Sequence, residues 1–100
     1  MNNFNDLNFS QREIGGVGAT HLFDKDIMIS VQAGTFAYST PRESMPSPDD
    51  FSSFEVALID NISGKFITKN FVEDLNDDVL GWQTREDINK LINKISNKGV

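Results

Sequence analysis

The chain has 100 residues, a formal net charge of -6 at neutral pH and no cysteine. That length holds one domain with one modest core, and the charge sets the chain against direct contact with nucleic acid or an anionic membrane surface. The lack of cysteine excludes a disulfide framework, a thiolate nucleophile and a thiolate metal site.

No run approaches the ~18 apolar residues needed to span a bilayer. The first residues, Met-Asn-Asn-Phe-Asn-Asp, lack the basic-then-apolar order of a signal peptide. Together these features imply a cytoplasmic location. In residues 1–23, Phe4, Leu7 and Phe9 stand among Asn, Asp and Ser without a clean period, and Gly15-Gly16-Val17-Gly18 interrupts any helix. The pattern predicts an irregular N-terminal arm that either packs its phenylalanines on the core or orders on a partner. Gly16-Val17-Gly18 is not followed by the rest of a dinucleotide fingerprint or by Gly-Lys-Ser/Thr, so it is not a phosphate loop.

Residues 27–39 carry the clearest β signal. Ile27, Ile29 and Val31 alternate with Met28, Ser30 and Gln32, and after Ala33-Gly34 the large residues Phe36 and Tyr38 alternate with Thr35, Ala37 and Ser39. Alternation with period two predicts strands. A turn at Ala33-Gly34 would pair Val31 with Phe36 and Ile29 with Tyr38, giving a hairpin with one apolar side. Residues 40–53 contain all three prolines, Pro41, Pro46 and Pro48, and predict a long exposed loop. Met45 and Phe51 within it either pin the loop to the core or face a partner.

Residues 54–71 predict a second hairpin around Asn61-Ile62-Ser63-Gly64, with Asp60 opposite Lys65 and Ile59 opposite Phe66. Phe54, Val56, Leu58 and Phe71 share one face. The other face, with Ala57, Ile59 and Phe66, is too apolar for an ordinary solvent face; the N-terminal arm, a second copy or a partner would cover it. Residues 72–78 form an acidic turn, and Val79-Leu80-Gly81-Trp82 predicts a short fifth strand. Thr84 and Asp87 make a variant capping box. Behind it Ile88, Leu91, Ile92 and Ile95 follow the i, i+3, i+4, i+7 spacing of one helical stripe, which Gly99 ends. The expected fold is therefore α+β: an antiparallel sheet of four or five strands, with the C-terminal helix on one face, in a single domain of an irregular arm (1–23) and the sheet plus helix (24–100).

Catalytic chemistry finds no foothold. His21 is the single histidine and has no cysteine or second histidine to complete a metal site. Counting a calcium loop from Asp74 puts Val79 where glycine is required and Arg85 where the bidentate glutamate belongs. No cofactor, metal site or catalytic residue is expected. What stands out is charge: from Glu43 to Asp87 acids far outnumber bases. Asp49, Asp50, Glu73, Asp74, Asp77 and Asp78, with Phe51 and Trp82 as aromatic neighbours, form the expected partner-binding patch. Spaced carboxylates can occupy a basic groove that otherwise holds phosphates, with association steered by charge and weakened by salt. In size, charge and lack of catalytic residues the chain resembles inhibitors carried by phages and other mobile elements, anti-CRISPR proteins among them. That resemblance implies a non-enzymatic protein whose partner is a larger protein with a basic surface. The alternative is a structural or assembly subunit, a homodimer through the apolar second sheet face.

Overall fold

A computed structural model describes residues 3–23, 26–72, 75 and 77–98. Five strands run β1 (Ser10–Gln11), β2 (Val17–Leu22), β3 (Ile27–Ala33), β4 (Phe54–Asp60) and β5 (Leu80–Gln83), followed by helix α1 (Arg85–Lys98). The strands lie side by side in chain order, each antiparallel to the next. The protein is thus an α+β meander with one helix packed on it, as expected. Two of the strands are not the ones the sequence pattern proposed.

β3 does not fold back on residues 36–38. It lies at the centre of the sheet, with Ile29 opposite His21 on one side and Leu58 on the other. Val31 likewise sits between Ala19 and Val56. Both edges of β3 are already occupied, so residues 34–38 leave the sheet as turns and bends before Thr40 bridges Ser53, and Phe36 is left 71% exposed. The N-terminal arm is the missing neighbour and is not irregular. Its glycines permit a strand: Gly16, at φ 83°, lies so close to β3 that a Cβ there would stand 2.0 Å from the Ala33 carbonyl oxygen. Only glycine tolerates both the left-handed backbone and that approach.

The second hairpin begins as expected and then stops. Asp60 N–H donates to the Lys65 carbonyl and Ile59 bridges Phe66. Ile67 N–H then donates to the Leu58 carbonyl, and the buried Thr68 hydroxyl accepts from Leu58 N–H at 2.9 Å. A side chain thus replaces the next ladder bond. The chain turns away through a short 3-10 helix, Thr68–Asn70, and the same edge of β4 is taken up by β5. The Thr68 hydroxyl also donates to the Asp78 carbonyl at 2.7 Å, fixing where β5 starts.

The core fills one side of the sheet. Val17, Ala19, Ile29, Val31, Ala33, Phe54, Val56 and Leu58 meet Ile88, Leu91, Ile92 and Ile95 of α1 there. At about 1.5–3 kcal/mol for each buried side chain, the four helix aliphatics stabilise the fold by about 6–12 kcal/mol before entropy is counted. The capping box is present: Thr84 N–H donates to the Asp87 carboxylate at 3.0 Å and Asp87 N–H donates to Thr84 Oγ1 at 3.1 Å. These bonds hold the Asp87 carboxyl below the ordinary aspartate value of 3.8. Phe4 and Leu7 join this same core, and Phe4 N–H donates to Asn89 of the helix. The long loop is fastened by Arg85, whose guanidinium donates to the Phe51 and Pro48 carbonyls, both at 2.8 Å, and lies over the rings of Phe4 and Phe54. No helix among the described residues is long and apolar enough to cross a membrane.

Candidate functional site

The N-terminal phenylalanine and leucine pack on the helix side, so they do not cover the opposite face of the sheet. The strand registers lay out that face in rows. Leu22, Met28, Ile59 and Phe66 form an apolar row, Thr20, Ser30 and Ala57 a second, and Gly18, Gln32 and Glu55 a third. Asn8, Ser10 and Arg12 border a polar concavity of about 390 Å³ beside Gly18, Thr20, Ser30 and Gln32.

At Glu55 the pairing of β4 with β5 is irregular. Phe54 faces Gln83 and Val56 faces Leu80, so the two residues Gly81 and Trp82 oppose Glu55 alone. This is a β-bulge, a device that re-aims side chains and recurs beside functional sites. Trp82 adopts φ 52° in it, a left-handed backbone that costs a non-glycine residue roughly 1–2 kcal/mol. Trp82 is 55% exposed, and its indole stacks on the Tyr38 ring, with centroids 5.2 Å apart and planes 29° from parallel. Trp82 N–H donates to the Tyr38 carbonyl at 2.8 Å. Tyr38 N–H in turn donates to the Glu55 carboxylate, which also accepts from the Gln32 side-chain amide. Glu55 is only 8% exposed, and among the described residues no cation pairs with it. Gly81 completes the arrangement, since a Cβ there would meet Tyr38 Cβ at 2.9 Å. Arg42 lies over the Tyr38 ring at 5.2 Å. A strained, exposed tryptophan held by a stacked tyrosine, whose own N–H is fixed by a buried carboxylate, is not part of the core on the other side.

The expected patch is only partly assembled. Asp49 and Asp50 are exposed on a short 3-10 turn, Pro48–Asp50, which Arg85 holds against the end of β5. Asp77 and Asp78 are exposed just before the start of β5. The two pairs therefore bracket a strand whose three steps span about 10 Å, and Trp82 lies on that strand. Phe51 is a correction: it is 2% exposed and packs on Phe54, because its carbonyl is the point where Arg85 ties the loop down. It pins the loop rather than facing outward. Glu73 and Asp74 lie outside the described residues. Tyr38, Glu55 and Arg42 were not expected at the site. The isolated Gly81 inside a strand pattern was the available signal, because such a glycine marks a bulge or a close backbone approach.

Two other features compete. An apolar groove of about 480 Å³ runs between α1 and β5, lined by Phe71, Val72, Leu80 and Leu91 with Lys90 and Lys94 at its rim. His21 is half-buried and meets the Phe23 ring edge-on at 4.9 Å. Among the described residues no group of three His, Asp or Glu is placed to hold a metal ion. Comparison with protein-family models, with curated proteins and with solved structures gives no match.

Proposed function

We propose that the protein is a non-enzymatic binding module that occupies a basic surface of a larger protein and blocks it. Its size and charge suit an inhibitor of the phage-borne type, and the surface it covers is one built to receive phosphates. The observation that carries this reading is the Trp82–Tyr38 stack, exposed at a bulge on a strand that Asp77 and Asp78 precede and near whose far end the turn with Asp49 and Asp50 is fastened. Large rigid aromatics supply contact area at low entropic cost, and the surrounding negative field speeds encounter with a positive partner.

The test is capture of partners from a host extract, followed by a salt titration with the purified partner. A basic partner, with affinity falling steeply as salt rises and falling again in Asp77→Asn/Asp78→Asn, is the expected result. A captured partner whose affinity ignores both changes overturns the reading. A second reading rests on the row Leu22–Met28–Ile59–Phe66, which is apolar across the sheet and ends in two half-exposed residues. It makes this face a contact between two copies of the chain. Light scattering decides it: a doubled mass abolished by Phe66→Asp supports it, and a monomer removes it.

A further inference from the structure

We propose that the partner is anchored by an arginine whose guanidinium stacks on the outer face of Trp82. This rests on the binding reading above and names the chemistry that the site selects. One face of the indole lies against Tyr38, and among the described residues no cation covers the other. The chain already uses this contact internally: Arg42 over Tyr38, and Arg85 over Phe4 and over Phe54. A partner arginine on Trp82 adds a further layer to the Arg42–Tyr38–Trp82 cluster.

The electrostatics favour a cation there. The carboxylate beneath Tyr38 is nearly buried and has no ion-pair partner among the described residues, so its charge is poorly screened by water. Asp77 and Asp78 stand at one end of the strand and Asp49 and Asp50 at the other, all exposed. Tryptophan is the best cation-binding ring. A guanidinium is planar and weakly hydrated, and it stacks while its edge remains free to donate to a carboxylate. A lysine ammonium must give up a tighter water shell for the same place. The bulge supplies the reason for the strain. An asparagine or glycine would sit at φ 52° with less cost, so the backbone alone gives no reason for a tryptophan here and its ring is what the position presents.

The experiment uses the full chain and dye-labelled oligo-arginine and oligo-lysine peptides of equal length, read by fluorescence anisotropy at low and high salt. Oligo-arginine is expected to bind about three- to fivefold more tightly than oligo-lysine. It should also shift the emission of Trp82, the single tryptophan of the chain. In Trp82→Asn the preference falls to parity while salt-sensitive binding of both peptides persists. Asparagine tolerates the left-handed backbone, and an unchanged circular dichroism spectrum confirms that the variant folds. Equal affinity for the two peptides, or a preference that survives Trp82→Asn, overturns the arginine anchor and leaves the basic-partner reading in place. No binding of either peptide at low salt overturns both.

Discussion

The two faces of this sheet are made from the same strands and do opposite things. On the helix side Ile29, Val31, Val56 and Leu58 are sealed against Ile88 and Ile92. On the other side Leu22, Phe66 and Trp82 stand half in solvent beside Thr20, Ser30 and Gln32. Period-two alternation sends neighbouring residues to opposite faces, so one strand such as β4 can hold Leu58 for stability and Glu55 for a surface device. Substitutions on the two faces should therefore separate into those that unfold the protein and those that leave it folded.

The sharpest contrast is expected between Ile92 and Leu22. Ile92→Ala, in the sealed layer, should destabilise by about 2–5 kcal/mol in chemical denaturation. Leu22→Ser, on the open face, should stay within about 0.5 kcal/mol. Equal losses would show that the open face is packed in solution and erase the distinction. A smaller effect tests the seam between the faces. Thr68→Val keeps the shape but strands the Leu58 N–H and the Asp78 carbonyl, and a loss of about 1–3 kcal/mol is expected. A neutral result would mean that water or a strand shift serves those groups equally well.

Smaller still is the helix cap. Thr84→Ala should cost about 1 kcal/mol. The cap also gives stability a pH dependence. Asp87 is held below 3.8 by the Thr84 backbone and side-chain bonds. A carboxyl lowered on folding contributes stability that is present above its unfolded value and is lost as pH falls through its folded value. Melting temperature should thus drop below about pH 4, and Asp87→Asn should flatten part of that drop. Asp60, lowered chiefly by the Ile62 N–H, contributes in the same direction. A variant whose acid limb matches the parent would remove Asp87 from the account.

What could be read beforehand follows the same division. The helix, its N-terminal cap, the fifth strand and the turn at Asn61–Gly64 are local signals, and they appear where expected, while Gly99, expected to end the helix, lies outside the described residues. The partner of β3 is not local. Alternation in residues 27–33 states that a strand exists and which side is apolar, but Ile29 fits Tyr38 or Leu58 equally well on pattern alone. β2 was hidden because Gly15, Gly16 and Gly18 read as breakers, whereas Gly16 is there for its close approach to Ala33, and Gly15 and Gly18 lie against Ser44 and the Arg12 side chain. The acidic residues near β5 were legible as charge. The Trp82–Tyr38–Glu55 arrangement was not, because a bulge and a left-handed tryptophan arise only when two strands are aligned.

Arg85 joins pieces that belong to different parts of the chain. One guanidinium fastens the proline-bearing loop, touches a ring from the N-terminal segment and one from β4, and belongs to the first turn of α1. Loop and helix are therefore joined by a shared clasp, the two hydrogen bonds of one guanidinium. The place of the acidic pair, Asp49 and Asp50, along the edge of the sheet is thus tied to a residue that also touches the interior.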